Sequence, residues 1–428
     1  MKRVIAAAGL SVLALTAAAC SSSSSSSSST GAAASSSSAS SASQAPASSL
    51  GASAASSSAK PLSIFFFDEE GASAAASSPE SFQAAEAAVD YVNDNLGGIK
   101  GRPLKLTHCE SLGTPDSAIN CANQAVDAKP DVVIKGVDVA GGSAVPIVTG
   151  AGLPYVTLNA GSPDEVDHKL AFSLSSGFAA QFAPVAAYAK TKGYKSLGVI
   201  YTNVQPLSTP LNGPFAQLLA KDGISYVPEP VDITSANVTS EYNALVAKHV
   251  GAILIVTTLA QCTASLQARS SLSDSTPLFM SSSCNVPSAL SAVSASTTDG
   301  TIFAFQDTSA VPGDADTKTY LQAMKTYEPS ASIGSFAPSS FESIIDFYRA
   351  MLTAKDPATL DAASVATTLE SAKNTPLFMG GGETFSCGTS FFAGEPSVCT
   401  GAAFLASYNG GIFKLAGAYN ASQLLKGA

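Results

Sequence analysis

The feature that most constrains this chain is an alternation. From Lys60 onward, short apolar runs of strand length take turns with stretches whose apolar residues recur every three or four positions. Ser63-Ile-Phe-Phe-Phe67 is the first run. After a polar loop, Ser78-Pro79 supplies an N-cap and a proline at the first helical position. Phe82, Ala85, Val89 and Val92 then follow at spacings of 3, 4 and 3, a helical stripe that Gly97-Gly98 stops. Leu104–His108 reads as a second strand, Ser117–Ala128 as a second helix, and Val132–Lys135 and Tyr155–Leu158 as third and fourth strands. Strand alternating with helix builds a parallel sheet covered on both faces, an α/β fold.

The pattern then restarts. Helical stretches at Phe178–Ala189, Pro214–Asp222, Glu241–Lys248 and Ala264–Ser273 alternate with strands at Leu197–Tyr201, Tyr226-Val227, Ala252–Val256, Leu278–Met280 and Ile302–Phe305. The last third adds helices at Phe341–Thr353 and Ala362–Ser371 and a strand-like tail, Ala403–Tyr408 and Ile412–Leu415. The chain therefore predicts two successive α/β lobes. Open sheets of this kind bind ligands beyond the carboxyl ends of their strands, so two facing lobes enclose a cleft.

Two further segments precede this body. Lys2 and Arg3 lead an apolar stretch, Val4–Ala19, which is the form of a secretory signal. Ala17-Ala-Ala-Cys20 resembles a bacterial lipobox, and that resemblance implies cleavage before Cys20 and lipid on its thiol. Ser21 to Ala59 is almost pure Ser, Ala and Gly, opening with unbroken Ser from Ser21 to Ser29. Such a stretch cannot bury enough apolar surface to offset its ordering entropy, and as Gly/Ser-type coil it reaches on the order of 35 Å. No later segment is apolar over the 18 residues that a membrane span needs.

The charge balance excludes one class of partner. Lys and Arg number 22 against 32 Asp and Glu, a net charge of −10, and no basic cluster exists to follow a phosphate backbone. The seven Cys divide into Cys20 and six others, an even number that in an exported chain reads as disulfides. Six cysteines allow 15 connectivities. The economical pairing joins neighbours, Cys109–Cys121, Cys262–Cys284 and Cys387–Cys399, each closing a short loop worth roughly 3 kcal/mol. With three His and no C-x-x-C, no metal site and no cofactor are expected. Neither a Gly-x-Ser-x-Gly elbow nor H-E-x-x-H occurs. Gly150-Ala-Gly152 lacks the third glycine of a dinucleotide fingerprint and precedes a strand, so an enzyme is not expected.

Three stretches carry a family resemblance. Ala88-Val-Asp-Tyr-Val-Asn93, continued by Leu96-Gly-Gly-Ile-Lys-Gly-Arg-Pro-Leu-Lys-Leu106, resembles the extracytoplasmic solute-binding proteins of branched-chain amino acid ABC transporters. Ala151-Gly-Leu-Pro-Tyr-Val-Thr-Leu-Asn-Ala-Gly-Ser-Pro163 and Lys192-Gly-Tyr-Lys-Ser-Leu-Gly-Val-Ile-Tyr201 are similar to that family's fourth strand with its ligand loop and to the start of its second lobe. The resemblance implies two flavodoxin-like parallel-sheet lobes joined by a three-crossing hinge, the type 1 periplasmic binding protein or Venus-flytrap fold. It divides the chain into a signal at 1–19, a lipidated tether at 20–59, a first lobe at 60–178 plus about 309–372, and a second at 179–308 plus about 373–428. It further implies a monomeric body, anchored through Cys20 on the outer face of the bacterial cytoplasmic membrane. That body captures a small organic solute, an amino acid or a relative, and hands it to an ABC permease. A sensing or adhesive surface lipoprotein would use the same fold.

The resemblance also places the ligand loops. The loops after the first and third strands offer Asp68 and Glu69, then Asp138, Gly141, Gly142 and Ser143. The loop after the fourth offers Asn159, Ala160, Gly161 and Ser162. The second lobe offers Gln205 and Leu207, Thr258 and Gln261, and Ser282 and Ser283. Here the sequence departs from the family. The acid that pairs with an amino acid's ammonium falls near Ser281-Ser-Ser283, where no acid stands. Asp68, Glu69 or Asp138 is left to take that role from the first lobe. Asn, Asp and Ser also form turns on their own account, so residue type does not separate ligand contacts from loop formers.

Overall fold

The computed structural model describes residues 54–56, 58–71 and 77–426. The signal, Cys20 and the tether up to residue 53 lie outside the described residues. The tether's last stretch belongs to the body. Ala55 N–H donates to Asn93 O and Ser56 N–H to Gly101 O, so the coil expected to reach Ala59 ends sooner.

Two sheets dominate. In the first, β1 (Leu62–Asp68), β2 (Leu104–Glu110), β3 (Val132–Lys135), β4 (Tyr155–Thr157) and β5 (Ala171–Ser173) lie in the order β2-β1-β3-β4-β5, all parallel. The second holds β6 (Ser196–Thr202), β7 (Ser225–Val231), β8 (Ala252–Val256), β9 (Leu278–Ser281) and β10 (Thr301–Phe305) in the equivalent order β7-β6-β8-β9-β10. This is the flavodoxin-like order, twice, and each sheet has a switch point beside its first strand. After the two-residue strands β11 (Thr375–Pro376) and β12 (Thr384–Phe385), the chain adds β13 (Ala402–Asn409) and β14 (Ile412–Asn420). These two extend the second sheet antiparallel from β10.

Composition follows position in the sheets. β1 and β8 are central and buried along nearly their whole length, hence Ile-Phe-Phe-Phe and Ala-Ile-Leu-Ile-Val. β7 carries Pro228 and Pro230 and lies at an edge, where missing N–H groups break no ladder. The Pro79–Asn95 helix packs against the almost wholly buried Ala337–Met351 helix, with the Ser81 hydroxyl bonded to that of Ser340 and the Tyr91 ring against Phe341.

Some elements differ from expectation. Ser78 stands before its helix, but its hydroxyl caps nothing. The single helix expected at Phe178–Ala189 is two, Gly177–Gln181 and Ala183–Lys192, because Pro184 cannot continue the ladder. Helix begins at Gln205, well before Pro214, and widens to a π-type turn over Leu211–Phe215. No sequence pattern marks the short β5 or the Ala315–Tyr327 helix.

All three neighbour disulfides form. The chain passes between the lobes three times, and the third passage is bonded to the other two. Ser173 N–H donates to Ser397 O, and Cys399 N–H to Ser173 O, both at 2.8 Å. Thr308 N–H donates to Met379 O at 2.7 Å. The Cys387–Cys399 bridge lies within this third passage.

Candidate functional site

The two switch points face one another across a cavity of about 130 Å³. That is an order of magnitude above the roughly 10–15 Å³ that admits one water. From the first sheet it is lined by Glu69 after β1, by Val137, Asp138 and Val139 after β3, and by Asn159 after β4. From the second come Thr202 at the end of β6, Val256 to Thr258 at the end of β8, and Ser281 to Ser283 at the end of β9. Val204, Pro206, Leu207, Ile233 and Leu259 make that wall largely apolar, and Phe178 and Phe336 add aromatic surface.

Seven of the sixteen expected contacts therefore share the cavity: Glu69, Asp138, Asn159, Leu207, Thr258, Ser282 and Ser283. The others lie elsewhere. Asp68 is fully buried and accepts from His108 Nε2 at 3.0 Å, with the His108 ring stacked on Phe82. With Glu70 these two bring three donor atoms within 4.8 Å of one another, outside the cavity lining. Gly141 and Gly142 give their space to neighbours: a Cβ on either would strike the Lys135 stem or the Ser162 hydroxyl. Ser143 follows them in a 3-10 turn. Ala160, Gly161 and Ser162 line a second, separate groove. Gln205 is exposed. Gln261 is fully buried in the first turn of the Leu259–Ser271 helix, where it accepts from Thr202 Oγ1 and donates to Asp232 O and Ser235 O.

The acids of the first lobe share one environment. Burial, above all, pushes the Glu69 carboxyl up to about 8. The Val139 N–H and Lys135 oppose that rise, and Asp138 and Asp68 add to it. Burial raises Asp138 and Glu80 as well. Glu165 goes the other way. Its burial is outweighed by Lys135, by the Gly161 N–H and by the Tyr155 hydroxyl, which hold it below the usual carboxylate range. Lys135 Nζ bonds both Glu165 Oε1 and Asn159 O.

Thr202 and Val256 end the strands at the second switch point, so the carboxyl-end rule could have found them. Glu80, Gln181, Phe178 and Phe336 come from helix starts and hinge passages, and no motif marks them.

The family described as "Periplasmic binding protein" matches residues 65–394. No curated protein matches the chain. Among solved structures, it is similar to a leucine binding protein from Thermotoga maritima, with TM-score 0.68, 15% identity, and coverage of 84% of this chain and 99% of that one. It is also similar to a fatty acid ABC transporter substrate-binding protein from Thermomonospora curvata, with TM-score 0.71, 16% identity, and coverage of 88% and 97%. A third is a branched-chain amino acid transporter substrate-binding protein from Streptococcus pneumoniae, solved with isoleucine, with TM-score 0.65, 18% identity, and coverage of 84% and 99%. Five parallel strands in the flavodoxin-like order in each of two sheets, the cavity between their switch points and a family match over most of the body agree: the chain belongs to the periplasmic binding protein family.

Proposed function

We propose that this protein is the solute-binding component of an ABC transporter. It captures a small organic solute between its lobes and delivers it to a membrane permease, with no chemistry of its own. A lipid on Cys20 holds it at the outer face of the cytoplasmic membrane, and the Ser/Ala tether lets a monomeric body move beneath that anchor. The observation that carries the reading is the position of the cavity, walled by the switch points of both sheets. A ligand there touches both lobes at once, and so binds the closed form better than the open one. The names of two structural neighbours, a fatty acid ABC transporter substrate-binding protein and a branched-chain amino acid transporter substrate-binding protein, support the same role.

A thermal-shift screen of the purified protein against amino acids, amines, amides, alcohols and short acids tests this. A solute at 100 times its dissociation constant adds about 2.7 kcal/mol of stability. A melting temperature that no member of a broad panel moves overturns the reading. Mass spectrometry of the protein from bacterial membranes tests the anchor, with a lipid-modified Cys20 as the expected N-terminus.

A further inference from the structure

The backbone cradles that follow β3 and β4 both hold the chain's own carboxylates. Val139 N–H donates to Glu69 Oε2 at 3.0 Å, and Ala140 N–H to Asp138 Oδ1 at 2.7 Å. One strand over, the N–H groups of Gly161 and Ser162 both donate to Glu165 Oε2, at 3.0 and 3.1 Å. A ligand carboxylate arriving there finds these donors taken and meets carboxyl groups instead. No Lys, Arg or His is among the described residues that line the cavity, and Lys135 behind it is engaged by Glu165 and Asn159 O. The ionisable lining is Glu69, Glu80, Asp138 and Glu165, of which Glu165 is offset by Lys135.

The same cavity contains buried acceptors without partners. Asp138 Oδ2 and Gln181 Oε1 have no hydrogen bond, and their residues are 4% and 1% exposed. Unpaired buried acceptors are costly, and a donor-bearing ligand relieves both. The opposite wall offers Val204, Leu207, Ile233 and Leu259 to an apolar body.

We infer that the cleft takes a compact amine without a carboxylate, its ammonium toward Asp138 and Glu69 and its hydrocarbon part against the second lobe. This rests on the binding-protein reading and narrows it to a ligand class. It accounts for the missing acid at Ser281–Ser283, because the counter-charge stands on the other lobe. It also sets a pH dependence. Glu69, which faces Asp68, Asp138 and Lys135 and shares the cavity with Glu80, is largely protonated at neutral pH in the empty cleft. An ammonium beside it favours the ionised form, so binding releases a proton. Affinity then strengthens from pH 6 to about 8 and levels off above it, short of the amine's own loss of charge near 10.

Calorimetry of the purified protein with four matched solutes tests the inference: isoamylamine, isoamyl alcohol, isovalerate and leucine. The amine should bind about ten- to a hundredfold tighter than the alcohol, the range of a charge-assisted hydrogen bond. Asp138→Asn should bring it down to the alcohol's level. Glu69→Gln should remove the rise with pH, and it serves alone if Asp138→Asn lowers the ligand-free melting temperature. Isovalerate, leucine or the alcohol binding as tightly as the amine overturns the inference and leaves the binding-protein reading standing. Silence from all four overturns the inference, and silence across the broad solute panel takes the binding-protein reading with it.

Discussion

Lys135 is an ammonium sunk at the end of β3, 1% exposed, and Glu165 is its counter-charge. Breaking a buried pair from one side strands the other charge and costs about 3–5 kcal/mol, whereas replacing both partners with apolar residues costs far less. Glu165→Gln should therefore lower the urea midpoint sharply, and Lys135→Met with Glu165→Leu should recover much of the loss. The pair also explains Gly141, over which the lysine stem runs. Glu69 carries a second consequence. Its carboxyl stands at about 8 in the fold against 4.5 when free, so the folded state holds the proton longer and stability falls as pH rises between those values. Within that window Glu69→Gln should gain roughly 1.4 kcal/mol per pH unit relative to the parent, read from urea unfolding at pH 5 and pH 8. Asp138 and Glu80 are raised by burial too, so the parent's own decline with pH has the same sign. The sequence marks Asp138 as a loop acid between strand and helix. It does not reveal that Glu69 would close over the Val139 N–H, because that depends on where β1 and β3 place two segments 70 residues apart, whereas Asp138 meets the Ala140 N–H through a local Asx turn.

Among the elements, the Cys262–Cys284 bridge ties the first turn of the Leu259–Ser271 helix to the Ser282–Cys284 turn. Thr258, Ser282 and Ser283 line the cavity beside it. Replacing both cysteines by alanine should cost about 3 kcal/mol in thermal unfolding and weaken binding of any solute that the screen finds. Full affinity in the folded variant would remove the bracing role. Gly161 marks where the lobes meet. A Cβ there would stand 2.7 Å from Pro206 Cβ and 3.0 Å from the Phe178 ring. Gly161→Ala should therefore hold the lobes apart and reduce affinity by about tenfold, with little change in ligand-free melting temperature, because the clash arises between lobes. At this scale the buried strands were legible, since β1, β3 and β10 each hold a run of three or four apolar residues and β8 is apolar along its whole length. The Ala315–Tyr327 helix was not, because its polar face interrupts the apolar stripe, and three-residue β5 is too short to show a period.

Closure belongs to the whole molecule. A solute gripping both switch points should shrink the radius of gyration in solution scattering, and an unchanged profile at saturation would mean that the lobes do not hinge. The three passages between lobes do not bend independently. The hydrogen bonds of Ser173 with the 397–399 segment, and of Thr308 with Met379, make them a laced strap, so opening twists all three together. The repeated β–α pattern made the two lobes legible from the sequence, while the lacing joins segments more than 200 residues apart in the case of Ser173 and Ser397.

The order in which the chain visits its sheets has a consequence for its making. The first lobe's Pro79–Asn95 helix meets one of its packing partners only when residues 337–351 arrive, and the second sheet gains its outer strands only from residues 402–420. Neither lobe is a continuous stretch of chain, so neither can finish before the later residues arrive. Contacts so distant along the chain fold slowly. The β10 edge of the second sheet must therefore stay unpaired until β13 arrives, and an open strand edge of that kind is prone to pair wrongly in the meantime.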